Sequence, residues 1–341
     1  MQPHERLEHE FGEWAGVKNV VACSSGTAAL HLALEALELP RGAKVLVPDF
    51  TMVACARAVT LAGLVPVFVD CGEDMLISID QLEQAVYKLN GEAHAIMPVH
   101  VYGRRCHMAA IYQLASRFDL YVVEDMAEAH GVPVHPGTDA ACWSFYKNKI
   151  VAGEEGGAVS FQTTTAAKLA RSLRSLGFGD SQDYQHTPRG HNYRLASCLA
   201  EKVLKSLGDF GEGGILGEPG RTPIDYRRKV EQCYNDWFPT EWKLPHRDAP
   251  WVYDIRIPGL HKYQQDMLVE GLNKEGIAAR HAFKPMSSQR EYSGCEVFRE
   301  KRSRGVADVV SQEVIYYPLG SGTTPEMVER AYRITREVVH G

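Results

Sequence analysis

Short apolar runs alternate with longer stretches of helical periodicity along the first half of the chain, and few architectures accept that order. After a helix over Leu7–Ala15, V-K-N-V-V-A-C reads as a buried strand, and Ser24–Thr27 turns the chain into the apolar helix A-A-L-H-L-A-L-E-A-L. K-V-L-V-P is the next strand, Phe50–Ala62 the next helix, and V-P-V-F-V-D a strand ending in Asp70. The order continues through the helix Ile79–Lys88, the strand A-I-M-P-V-H-V-Y, the helix Met108–Phe118 and the strand L-Y-V-V-E-D, which ends in Asp125. A-A-C-W-S-F-Y and G-A-V-S-F add two strands before a helix over Thr164–Leu176. Strands separated by helices pair in parallel, so the expected fold is α/β with a mostly parallel central sheet. Ligands in such folds gather at the carboxyl ends of the strands.

Beyond a helix over Cys198–Leu207 the pattern breaks at Gly208–Gly220, which is glycine-rich and has no apolar period. A different order follows: a helix through R-R-K-V-E-Q-C-Y, the strand W-V-Y-D-I-R-I-P, a helix over Lys262–Glu275 and a strand–helix ending. The expected division is a large domain over 1–207, a linker or insertion over 208–222, and a small C-terminal α+β domain over 223–341. A chain of 341 residues is long enough for two such cores.

The net charge of −6, with no basic block, offers no electrostatic ground for nucleic acid or an anionic membrane surface. No apolar run approaches the ~18 residues of a membrane span, and the charged opening M-Q-P-H-E-R-L-E-H-E-F is unlike a signal peptide. The expected location is the cytoplasm. Eight cysteines lie far apart without a C-x-x-C pair, as buried thiols in a reducing compartment do, and no metal site is expected.

Three places carry candidate chemistry. The stretch S-F-Y-K-N-K-I-V-A-G-E-E-G-G (Ser144–Gly157) delivers lysines into a glycine-rich turn, with Lys149 as its candidate centre. A lysine becomes a covalent catalyst by forming a Schiff base, most often with the carbonyl of pyridoxal phosphate (PLP), although lysines beside glycines are also common on surfaces. Ser25-Gly26-Thr27, opening a helix, offers free amides and a hydroxyl to a phosphate, or serves as a plain N-cap. Asp125, closing a buried strand, either pairs with a cation such as a protonated pyridine nitrogen or caps the segment that follows.

Six motifs occur together: S-G-T-A-A-L (Ser25–Leu30), V-P-x-x-T (Val47–Thr51), P-V-H-V-Y-G (Pro98–Gly103), E-D-M-A-E-A-H-G (Glu124–Gly131), S-F-Y-K-N-K with E-E-G-G, and H-N-Y-R (His191–Arg194). In this order they make the chain resemble the DegT/DnrJ-type sugar aminotransferases, PLP enzymes of the aspartate-aminotransferase (type I) fold. The resemblance implies Lys149 as the Schiff-base lysine, Asp125 on the pyridine nitrogen, Gly26, Thr27 and Ser144 on the cofactor phosphate, and Lys147 as a bystander. It implies that Asn192 reaches the phosphate of the neighbouring subunit's cofactor, and hence a homodimer with shared active sites. Met52 stands where many members place an aromatic ring over the pyridine. Glu128 stands where many have Gln or His near the phenolic oxygen, so its carboxylate needs a proton or a partner.

Members resembling GDP-perosamine synthase also carry a Glu there, and R-H-A-F-K-P-M (Arg280–Met286) is similar to that branch, which implies His281 and Lys284 as substrate contacts. The implied activity is transfer of an amino group from L-glutamate to a keto-sugar nucleotide, first of all a GDP-linked 4-keto-6-deoxy sugar. A related PLP branch dehydrates sugars, but it replaces the lysine by histidine. The alternative outside catalysis is a PLP-fold sensor or scaffold.

Overall fold

The computed structural model describes residues 1–178, 186, 189–208, 222–300 and 304–340, so the expected insertion beyond Gly208 lies outside the described residues. Eight strands form the main sheet in the order β1 (Val20–Cys23), β7 (Gly157–Phe161), β6 (Ala140–Ser144), β5 (Tyr121–Asp125), β4 (Ala93–Ile96), β2 (Lys44–Pro48), β3 (Val65–Val69) and β10 (Val297–Phe298). From β10 to β6 every neighbour is parallel. Only β7 runs against both of its neighbours. The reason is the connection: β6 and β7 are joined by a tight loop without a helix, and a parallel return would need a longer crossover.

The boundaries differ locally from the periodicity. The helix expected from Phe50 is α3 (Val53–Leu61), with Met52 at its N-cap. The strand expected to reach Tyr102 stops at Ile96, because Pro98 has no amide to donate, and the chain turns at 101–103 with Tyr102 left-handed at φ 53°. The helix expected to Leu176 is α6 (Thr164–Arg174), ending before Leu176 takes φ 62°.

The helix α2 (Gly26–Ala36) is buried from Ala28 to Ala36, packed on β6, β7 and β1 and covered by α3 and α6. Its all-round apolar sequence requires such a position. A second sheet, β8 (Val252–Arg256), β11 (Val314–Pro318) and β9 (Arg280–His281), is antiparallel in the order β8-β11-β9. The helices α8 (Pro223–Trp237), α9 (Lys262–Lys274) and α11 (Pro325–His340) supply its core with Tyr234, Leu268, Leu272 and Val328 around Tyr253 and Tyr317. The chain then crosses back: β10 pairs with β3 at the far edge of the main sheet, and Met286, Tyr292 and Phe298 belong to the larger core.

Two devices lock the halves together. Gly103, at φ +83°, lies so close to the Ala249 carbonyl that a Cβ would fall 1.8 Å from its oxygen. Beside it, Arg104 holds Asp254 through two bonds of 2.8 and 3.1 Å, and Arg247 bridges Asp254 at 2.6 Å to Glu231 at 2.8 Å. These groups are buried, where removing one partner of such a cluster costs about 3–5 kcal/mol. Among the described residues no helix is long and apolar enough to cross a membrane.

Candidate active site

The first turn of α2 meets the ends of β6 and β7. Ser25 is extended and its Oγ accepts the Ala28 amide at 3.1 Å, so the plain cap is present. The amides of the first turn that this cap leaves over can face an anion as well. Gly26 allows the approach, since a Cβ there would lie 2.7 Å from Ser144 Cβ and 3.2 Å from its Oγ. Gly157 has the same role on the other side, where a Cβ would fall 2.4 Å from the Ser25 carbonyl oxygen. Of the glycines after Lys149, Gly157 thus packs against the turn that opens α2, whereas Gly153 meets Val203 and Gly156 meets Leu195 and Phe145. Gly26 and Ser144 are brought into contact at the start of α2, with Thr27 next in the chain.

Between β6 and β7 the lysine loop is braced by its own backbone: the Lys147 amide donates to Glu154, the Gly153 amide to Phe145 and the Lys149 amide to Tyr146. Lys147 is exposed, with its ammonium 5.9 Å from the Tyr146 ring. Lys149 turns inward. Its Nζ lies 3.6 Å from Glu128 Oε1 and 3.8 Å from the centroid of the Trp251 ring. Trp251 Nε1 donates to the Asn148 carbonyl at 2.9 Å, so the second half of the chain presses on the lysine loop directly.

Glu128 is buried and its Oε2 accepts the Tyr102 amide at 2.8 Å, which accounts for the left-handed turn at Tyr102. Burial pushes its carboxyl up to about 7, against the pull of Lys149. Burial likewise lowers the Lys149 ammonium, against the pull of Glu128 and Asp125. Burial thus acts against the charged form of both partners, which stand 3.6 Å apart.

Asp125, at the carboxyl end of β5, accepts the Ala127 amide on Oδ1 at 2.9 Å and the Cys55 thiol on Oδ2 at 3.1 Å. The first of these is the bond a capping aspartate makes. Burial and the neighbouring Asp125 charge push the Cys55 thiol well up, so it remains a donor. Among the described residues no cation lies within ion-pair distance of this buried carboxylate, which leaves a cationic partner to come from a ligand.

Periodicity did not single out His130, although it stands in E-D-M-A-E-A-H-G. Its Nδ1 accepts the Val151 amide at 3.0 Å, and its buried Nε2 has no hydrogen-bond partner. Burial, Lys149 and Arg227 push it down to about 3, so the ring is neutral. Trp251 and Arg227 were missed as well. Their partners are distant in sequence, and only the meeting of the two halves reveals them. Arg227 donates to the Trp251 carbonyl at 2.8 Å and has no carboxylate partner among the described residues. Burial lowers its guanidinium to about 10, so it remains a cation. Together with Lys149, Trp251, Tyr226, Arg280 and Tyr316 it lines a cavity of about 370 Å³.

Of the candidate residues only Lys149 lines this cavity; Gly26, Thr27, Asp125, Glu128 and Ser144 are not among its lining, and the others lie apart from it too. Met52 is half exposed at the start of α3. Asn192 is exposed, its Oδ1 accepting from Arg194 at 3.0 Å. His281 turns to Asp266 at 2.8 Å, and neither it nor the exposed Lys284 lines the cavity, whereas their neighbour Arg280 does.

The sequence model of the DegT/DnrJ/EryC1/StrS aminotransferase family matches residues 2–335. A GDP-perosamine synthase of Caulobacter vibrioides is 31% identical over 98% of this chain and 89% of its own length. A UDP-N-acetyl-3-dehydro-alpha-D-glucosamine 3-aminotransferase of Acidithiobacillus ferrooxidans is 30% identical over 98% of this chain and 88% of its own. Among solved structures, a DegT DnrJ EryC1 StrS aminotransferase from Brucella abortus superposes with a TM-score of 0.85 at 26% identity, over 99% of this chain and 90% of that one.

Proposed function

The chain belongs to the DegT/DnrJ/EryC1/StrS aminotransferase family, and we propose that it transfers an amino group from L-glutamate to the keto carbon of a GDP-linked 4-keto-6-deoxy sugar, acting as a homodimer. The observation that carries this reading is Lys149, an inward-facing lysine with a lowered pKa, set between Glu128 and Trp251 at the wall of the cavity.

The family's cofactor is PLP, and the residues present suit it. Gly26, Thr27 and Ser144 make a cradle for its phosphate, and the uncompensated Asp125 carboxylate suits its protonated ring nitrogen. When bound, PLP supplies an electron sink for the carbon that loses or gains a proton. The chain's own part is positioning and proton transfer. Asp125, held by the Ala127 amide and the Cys55 thiol, keeps its charge aimed in one direction. Lys149, whose ammonium form burial disfavours, takes a proton at Nζ from one carbon and returns it to another within reach of the same side chain. Glu128, at 3.6 Å, holds the exchanged proton or gives it back.

Arg227 and Arg280 give the cavity a cationic wall, suited to the carboxylates of an amino donor or the diphosphate of a sugar nucleotide. The choice of a GDP sugar rests on the Caulobacter relative and on R-H-A-F-K-P-M, with His281 and Lys284 as its sugar-nucleotide contacts. Protein loaded with PLP and L-glutamate should aminate a GDP-linked 4-keto-6-deoxy sugar, seen by mass spectrometry as the amino product together with 2-oxoglutarate. Amination of UDP- or dTDP-linked keto-sugars alone would refute the nucleotide assignment, and no amination of any of them would refute the activity.

A further inference from the structure

A second polar cluster stands inside the protein, away from the cavity. His31 and Glu35 lie one turn apart on α2, exposed by only 2% and 9%, and His191 reaches them from the segment after α6. His191 Nε2 lies 2.6 Å from Glu35 Oε2, and His31 Nε2 lies 3.8 Å from Glu35 Oε1. One donor atom from each of the three side chains falls within 4.8 Å of the others. Among the described residues the buried Nε2 of His31 has no partner of good hydrogen-bond geometry, although the Leu61 backbone approaches the ring. Its Nδ1 faces the Tyr193 hydroxyl at 3.2 Å. In the tautomer that donates from Nδ1 to Tyr193, Nε2 turns its lone pair towards Glu35 at 3.8 Å, and a cation between them would be bound by both.

We propose that His31, Glu35 and His191 bind one divalent transition-metal ion of the Zn2+ or Co2+ kind. Two imidazoles and one carboxylate favour such ions over Mg2+ and Ca2+, which take oxygen ligands. Ligands bound at about 2.0–2.2 Å in a tetrahedron stand roughly 3.3 Å apart. The 3.8 Å separation is close to that value, and the 2.6 Å pair opens by a small rotation of the Glu35 carboxylate as the proton it shares with His191 leaves to solvent. The Tyr193 hydroxyl, 3.2 Å from the opposite ring nitrogen, would orient the ligand, as such partners do in metal sites. His191 is 26% exposed, which provides an entry path, and a water can complete the coordination. The ion would tie α2 to the segment carrying Asn192, next to the point where the Tyr193 carbonyl accepts the Ser24 amide at 2.8 Å.

The test uses PLP-loaded, tag-free protein stripped with EDTA and then dialysed against about micromolar free Zn2+ or Co2+. We expect one ion per chain by elemental analysis, and Co2+ visible bands of nitrogen–oxygen ligation without sulfur charge transfer. Glu35→Gln and His191→Asn should each weaken binding by at least about tenfold, and Tyr193→Phe by a similar or smaller factor. Retained cofactor absorbance shows which variants are folded, and His191, being the most exposed ligand, keeps the test open if Glu35→Gln misfolds. No retained ion, an affinity that either folded ligand substitution leaves unchanged, or cobalt–thiolate bands would overturn the assignment.

Discussion

Replacing Gly26 by Ala tests whether the phosphate cradle depends on the close approach of α2 to β6. The new methyl would stand 2.7 Å from Ser144 Cβ and 3.3 Å from Ser144 Cα, and the Cα is backbone that cannot rotate away. The helix start must therefore retreat by several tenths of an ångström. Overpacking of this kind costs about 1–3 kcal/mol of stability. The retreat also pulls the Gly26 and Thr27 amides from Ser144, and loss of one charge-assisted hydrogen bond costs about 1.5–3 kcal/mol, or roughly ten- to a hundredfold in PLP affinity. Urea unfolding of the cofactor-free chain reads the first quantity, and PLP titration by absorbance reads the second. The second variant, Ser144→Gly, removes the atom that is struck while losing one hydroxyl. In the double variant the steric cost should largely vanish, giving a coupling of at least about 1 kcal/mol in stability. If the two substitutions are additive within error, or Gly26→Ala binds PLP as tightly as the parent, the cradle is not built as described.

Lys149→Ala should abolish the visible absorbance of the lysine-bound cofactor and all turnover, while the exposed Lys147→Ala leaves both intact; the reverse pattern would reassign the lysine. Asp125→Asn should retain PLP but slow amination by a hundredfold or more, on the order of 3 kcal/mol of barrier, and near-normal single-turnover rates would remove Asp125 from the mechanism. The Glu128 carboxyl is raised by burial from 4.5 to about 7, so in the cofactor-free protein its contribution to stability is present below the unfolded value and lost as pH rises through 7. Glu128→Gln should therefore gain on the parent in urea midpoint between pH 5 and 8, by at most about 3 kcal/mol, and a pH-independent difference would contradict that titration. Mixing inactive Lys149→Ala subunits with inactive Asn192→Ala subunits should restore one competent site per mixed dimer, and exchange without recovered activity would place Asn192 outside the neighbour's site.

The linear sequence determined the local and the periodic. Strand and helix alternation follows from side-chain period and apolar burial, so the mostly parallel sheet was legible, and so were the strand ends that present Asp125 and Ser144. The turn at Ser25–Thr27 and the lysine loop were legible for the same reason, since glycines and caps act on their immediate neighbours. Tertiary structure decided whatever depends on chain segments meeting across long separations. The return of β10 to the main sheet's edge carries no local signature. Nor does the pressure of Trp251 on Lys149, or the approach of Arg227 to the same cavity. The paired shifts of Glu128 and Lys149 arise from desolvation, a property of the space around a group that residue type alone does not encode. His31 and Glu35 read in sequence as two polar interruptions of an apolar helix. Only packing brings His191 against them and leaves a buried nitrogen, among the described residues, without a partner of good hydrogen-bond geometry.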